Sequence, residues 1–281
     1  MVRQPRAGKL RQCGTNGNAH RQIQPHIVSR EKKSAGLSET PPDLHFPEEK
    51  FLEIQAALIE RYTSDLRADK TPTVIILGGQ PGAGKTELEK IAATELGGNV
   101  LACNADIFRD YHPHAKYIRA NLEDQLPELT APAAQRWNNA IRAYCEANRF
   151  NYILETTFSS GAMMNDTIKD LKTKGYRVGI KLLALHPKLS LLGTHLRFER
   201  GKSEEGTGRT VGKKVHDERF EKIIPTLTAV ELAARYDKLE LYGRDPEGVV
   251  LIVSNPPDAV KIYRWEIEKD WPDAIAQNFY D

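Results

Sequence analysis

Cysteine is scarce. The three in this 281-residue chain, Cys13, Cys103 and Cys145, make no C-x-x-C spacing, which excludes a disulfide framework and points to a reducing compartment. Long apolar runs are missing too: none approaches the ~20 residues of a membrane span. The basic N-terminus MVRQPRAGKLRQCG has no apolar stretch behind it, so neither a membrane nor a secretory route is expected, and the expected location is cytoplasmic. Charge of one sign is not in excess, with 40 Lys and Arg against 38 Asp and Glu. Such a balance is not built around a nucleic-acid backbone, and no nucleic-acid partner is expected. What remains, 40% hydrophobic and 28% charged residues, is ordinary for a soluble globular chain of one or two domains.

Residues 1–43 hold eight Lys or Arg against three acids, with almost no apolar periodicity. They bury too little to offset their ordering entropy and are expected to be a disordered extension preceding one domain over 44–281. From Pro47 a helical pattern begins, with Phe51, Ile54, Leu58 and Tyr62 on one face, and is expected to run to Thr71-Pro72. Strands are expected at Val74–Leu77, 99–103, 152–154 and 178–184, with edge strands at 239–241 and 249–253. Helices are expected over 86–96, from Thr130 through Tyr144, from Ser160 to Gly175, over 187–200, and past Pro257 with Tyr263, Trp265 and Ile267. Strand and helix alternating at this interval predict an α/β fold: a parallel sheet of P-loop NTPase or kinase type with helices on both faces.

Gly79-Gln80-Pro81-Gly82-Ala83-Gly84-Lys85-Thr86 fits G-x-x-x-x-G-K-[ST], with a β-branched strand before it and a helix after it. The glycines let successive N–H groups turn toward one phosphate cluster, and the helix start adds its positive end. Lys85 is the expected β- and γ-phosphate ligand, and the Thr86 hydroxyl the expected Mg²⁺ ligand. The motif therefore implies ATP and Mg²⁺ but leaves the phosphoryl acceptor open.

In such sheets ligands lie outside the carboxyl ends of the strands. Asp106 follows the second strand and can serve as a base for an attacking hydroxyl, as a water-mediated magnesium residue, or as a helix N-cap. Glu155 closes the third strand, where packing does not explain a carboxylate, and Thr157 follows. Residues 197–210, with Arg197, Arg200 and Arg209 among glycines, read as a mobile lid whose arginines cover the transferring phosphoryl group. A nucleotide-binding switch would have no need of an acid beside the γ-phosphate, so Asp106 separates a kinase from a regulator without phosphotransfer. Kinases of another small molecule, a dinucleotide or a polynucleotide 5′-hydroxyl remain alternatives.

Together these blocks resemble the zeta toxin family of bacterial toxin–antitoxin systems over roughly residues 45–250. The similarity is carried by Leu77–Thr86 with its Gln-Pro, by Asp106-Ile107-Phe108 through His112-Pro113, by Tyr152–Thr157, by Leu192-Gly193-Thr194 with Arg197, by Arg209, and by His216-Asp217. The resemblance implies ATP-dependent phosphorylation of UDP-N-acetylglucosamine at the 3′-hydroxyl of its amino sugar. It implies Asp106 as base, Arg197 and Arg209 as transition-state arginines, and Glu155 and Thr157 as acceptor contacts. Some members carry inhibitory N-terminal segments and others rely on a separate small helical antitoxin, which is the protein partner implied. Thr156 departs from the pattern, standing where the family usually has glycine, and Arg200 lies off the matched positions.

Overall fold

The computed structural model describes residues 43–205, 211–245 and 247–269; the expected N-terminal extension and Arg209 lie outside them. Six strands form one sheet: β1 Thr73–Gly78, β2 Leu101–Cys103, β3 Tyr152–Glu155, β4 Arg177–Leu183, β5 Lys238–Asp245 and β6 Gly248–Ser254. Their order is β2-β3-β1-β4-β5-β6. The pairings from β2 to β5 are parallel, and β6 returns antiparallel to β5.

The β1 residues Val74–Leu77 are fully covered because β1 lies inside the sheet with helices on both sides. Alternation divides them. Val74 and Ile76 face one core, with Trp137, Ile141, Ile168, Leu227 and Tyr263. These come from α4 Leu126–Ala147, α5 Met163–Thr173, α8 Ile223–Ala233 and α9 Ala259–Glu268. Ile75 and Leu77 face a smaller core built on Leu88 and Ala92 of α2 Lys85–Glu95. The remaining α-helices among the described residues are α1 Glu48–Thr63, α3 Ala115–Asn121, α6 Pro187–Glu205 and α7 Lys213–Glu221.

Of the boundaries that differ from the sequence reading, four have a visible cause or consequence. The first helix ends at Thr63 instead of reaching Thr71, because the next backbone groups are satisfied elsewhere: Arg67 N–H donates to Asn99 Oδ1 at 2.9 Å, and Asp69 N–H to Arg149 O at 2.9 Å. Asn99 also donates to Arg67 O, so β2 begins only at Leu101. The long helix opens at Leu126, four residues before Thr130, with Pro127 in its first turn, where a missing N–H costs nothing. The fourth difference bears on the site. The helix expected over 187–200 runs on to Glu205, so the first part of the expected lid, with Arg197 and Arg200, is helical throughout. Gly201 costs a helix about 1 kcal/mol; beside it Lys202 Nζ meets Glu123 Oε2 at 2.7 Å and anchors that turn.

Candidate nucleotide and acceptor site

Strand register assembles the site. Leu77 of β1 pairs with Glu155, the last residue of β3, and β1 runs one residue further to Gly78, directly before the glycine-rich loop. Gly82 and Gly84 have φ of 77° and 95°, the left-handed region that favours glycine. Gly84 is also the residue preceding the first turn of α2, so the loop leads directly into a helix N-terminus. Neighbours press on the loop from two sides. A Cβ on Gly82 would stand 2.0 Å from Ser190 O, and one on Gly84 2.3 Å from an Arg244 guanidinium nitrogen. Arg244 is held there by Glu87 at 3.1 Å. The Gln80 side chain is fully buried and donates to Leu185 O at 2.9 Å; it braces the loop against the end of β4, leaving its backbone as the part available to phosphate.

Lys85 Nζ donates to the carbonyls of Gly79 at 3.0 Å and Gln80 at 3.3 Å, and lies 3.7 Å from Glu155 Oε1. Burial pushes its pKa below the usual lysine range; the Glu155 carboxylate opposes that shift and the Arg197 guanidinium adds to it. Glu155 accepts from Asn104 Nδ2 at 2.6 Å. Asn104 in turn caps the 3₁₀ turn Ala105–Tyr111 by accepting from the Asp106 N–H at 2.9 Å. The N-cap is therefore Asn104, which removes that reading of Asp106. Two guanidinium nitrogens of Arg109 hold Asp106 Oδ1, at 2.9 and 2.7 Å.

Lys85, Asp106, Glu155 and Thr157 line one cleft of about 1240 Å³ between the phosphate loop, α4 and α7. That exceeds the roughly 300–1,000 Å³ of a single small-molecule pocket and leaves room for two ligands. Thr86, Asp106, Glu155, Arg197 and Arg200 line an adjoining pocket of about 440 Å³. A recess of about 230 Å³ over the loop is bounded by Gly82, Lys85, Thr86, Arg197 and Arg200. Arg200, off the family pattern, thus shares the Arg197 wall because the two are three residues apart on one helix. Thr156 does not fill the cleft with its hydroxyl: Oγ1 donates to Leu77 O at 3.2 Å and accepts from Phe158 N–H at 2.9 Å. This holds the buried Phe158 at φ 52°, against Gly78.

Arg219 was not legible as a site residue. It comes from α7, enters the cleft wall and donates to Thr157 Oγ1 at 3.2 Å. Arg142 and Lys222 line the same cleft. No local pattern marks these three, since their helices are polar at many positions. Asn104 was findable, because it directly follows a strand. Hard oxygen donors from Thr86, Asp106 and Glu155 face one pocket and suit Mg²⁺. Among the described residues no cluster of three or more His, Cys, Asp or Glu could hold a metal unaided, so phosphate oxygens would have to complete the shell. No described helix is long and apolar enough to cross a membrane.

The chain is 27% identical over 227 residues to toxin PezT of Streptococcus pneumoniae, spanning 80% of this chain and 90% of that protein. It is 29% identical over 210 residues to toxin zeta of Streptococcus agalactiae, spanning 74% and 72%. In fold it is similar to a solved chain from the PezAT toxin–antitoxin system of Streptococcus pneumoniae, with a TM-score of 0.74 at 24% identity over 85% of this chain and 95% of that one. The family model for zeta toxin matches residues 58–257. That span carries the phosphate loop, both strand-end acids and the arginine-bearing α6 on a P-loop kinase-like fold, and the chain accordingly belongs to the zeta toxin family.

Proposed function

We propose that the protein is an ATP-dependent kinase that phosphorylates UDP-N-acetylglucosamine at the 3′-hydroxyl of its amino sugar, and that it acts as a toxin against cell-wall precursor synthesis. The observation that carries phosphotransfer is the placement of Asp106 and Glu155 opposite Lys85 in a single cleft wide enough for two ligands. The family resemblance supplies the identity of the acceptor. Backbone N–H groups of the Gly79–Thr86 loop, absent only at Pro81, and the Lys85 ammonium hold the triphosphate. The Thr86 hydroxyl would hold Mg²⁺, which neutralises charge on the β- and γ-phosphates. Asp106 takes the acceptor hydroxyl proton, the freed oxygen bonds to the γ-phosphorus, and the bond to the ADP oxygen breaks. Arg109 keeps the Asp106 carboxylate aimed at the cleft. Arg197 and Arg209 meet the charge that spreads over the transferring group. Glu155 and Thr157 orient the sugar, and Arg219, with Lys222 beside it, suits the acceptor's diphosphate.

The solved relative comes from a toxin–antitoxin system, which supports a small antitoxin protein as this chain's partner. ADP release by the purified chain, with and without UDP-N-acetylglucosamine, tests the reading. Release that depends on the nucleotide sugar and vanishes in Lys85→Ala is expected. Release unaffected by the sugar would remove this acceptor, and unchanged transfer by Lys85→Ala would remove the site.

A further inference from the structure

His216 and Asp217 stand out in the sequence, yet neither has a part in the reaction above. In α7 His216 is the buried residue, with no exposed surface, although Val215 beside it is exposed. Burying an imidazole is costly unless both ring nitrogens find partners. Both do. Nε2 pairs with Ser190 Oγ at 2.8 Å, and Nδ1 with Asp217 Oδ1 at 2.9 Å. Asp217 also pairs with Lys213, and these partners hold its carboxyl below the usual aspartate range.

Ser190 is fully buried in the first turns of α6. A Ser, a His and an Asp in hydrogen-bonded series suggest a nucleophile, but a hydroxyl with no exposed surface reaches no substrate. Its backbone supplies the meaning. The Ser190 carbonyl lies against Gly82 of the phosphate loop, and Gly193, three residues on, lies so close to the Gly82 carbonyl that a Cβ there would be 2.2 Å away. Ser190, Gly193 and Arg197 are spaced three and four apart and share one helix face. That face touches the loop at its start and carries Arg197 to the recess over Lys85 and Thr86. α7, which carries His216, is the next helix after α6 among the described residues. His216 therefore bolts α7 to α6 at the point where α6 rests on the phosphate loop.

We propose that His216 is a positioning residue: through Ser190 it sets the α6 face that presents Arg197, without touching nucleotide or acceptor. The inference rests on the phosphotransfer reading but not on the identity of the acceptor. Its test uses the full chain with Ser190→Ala and His216→Gln, singly and combined. Affinity for ATP is compared with affinity for ADP plus aluminium fluoride, a planar mimic of the transferring phosphoryl group. kcat and KM with UDP-N-acetylglucosamine are measured alongside.

Expected are ATP affinities within threefold of the parent and a loss of at least tenfold in mimic affinity and in kcat. Each single change already breaks the Ser190–His216 bond, so the double variant should lose less than the sum of the two single losses, although Ser190→Ala also gives up the bond from Ser190 Oγ to Pro187 O at 3.0 Å. Equal losses for ATP and mimic, or none for either, would overturn the proposal and leave His216 a packing residue. Should Ser190→Ala and His216→Gln fail to fold, Asp217→Asn at the helix surface is the substitute, with a mimic-selective loss of about threefold expected; no selective loss would again overturn the proposal. A parent chain that binds ATP but does not turn over the nucleotide sugar defeats only the acceptor assignment, since the ATP-to-mimic comparison still decides the role of His216. A parent chain that binds neither ATP nor the mimic defeats both.

Discussion

Replacing Gly82 by alanine adds one methyl group at the contact between the phosphate loop and α6, and the structure gives its cost in two parts. The residue sits at φ 77°, where any Cβ costs ~1–2 kcal/mol. The new carbon would lie 2.0 Å from Ser190 O, 2.7 Å from Thr194 N and 2.8 Å from Thr194 Cγ2; forcing atoms into such packed space costs a further ~1–3 kcal/mol. The sum is roughly 2–5 kcal/mol. Gly97 is an internal control. It too has positive φ, at 64°, but a Cβ there meets nothing within 4 Å, so Gly97→Ala should cost only the backbone part, ~1–2 kcal/mol. Urea unfolding of the parent and both variants measures the difference. Because relief of the Gly82 clash pushes α6 off the loop, Gly82→Ala should also lose ADP-releasing activity under conditions where it is folded, while Gly97→Ala keeps it. Equal stability of the two variants, or full activity in Gly82→Ala, would refute the claim that α6 rests on the loop.

The other expectations concern the chemistry. Asp106→Asn keeps the shape and removes the proton acceptor, so kcat should fall by ~10²–10⁴ with ATP affinity nearly kept; a collapse of ATP affinity with kcat retained would make Asp106 a metal residue. Arg197→Ala should lower kcat more than it raises KM, and steady-state kinetics at varied ATP distinguish this from ground-state binding. Arg200→Ala, at a position off the family pattern, should show a measurable loss in kcat/KM for ATP because Arg200 lines the Arg197 recess; an unchanged value would return it to the helix surface. Arg219→Ala should raise KM for UDP-N-acetylglucosamine at least tenfold and leave KM for ATP unchanged, and an effect on ATP instead would place Arg219 on the nucleotide side.

Some of this protein was present in its sequence alone. Local chemistry settled the glycine-rich loop, because only glycine tolerates the left-handed turns at Gly82 and Gly84 and only a following helix presents its N–H groups to phosphate. The period of apolar residues settled the strands, since a strand covered on both faces reads as a continuous aliphatic run. Asp106 and Glu155 followed from one topological rule, that ligands gather beyond the carboxyl ends of parallel strands. What depended on partners distant in the chain stayed hidden. Helix α6 runs through Gly201 because Glu123, 79 residues away, holds Lys202. Lys181, inside an apolar strand, is tolerable only because register sets it beside Glu240 and its Nζ lies 2.5 Å from Glu95 Oε2. Arg219 reaches Thr157, and His216 reaches Ser190, only once α7 has packed against α6 and the loop after β3. Local sequence encodes backbone propensity and the period of burial; the meeting of two side chains far apart in the chain is decided by packing, which no window of residues contains.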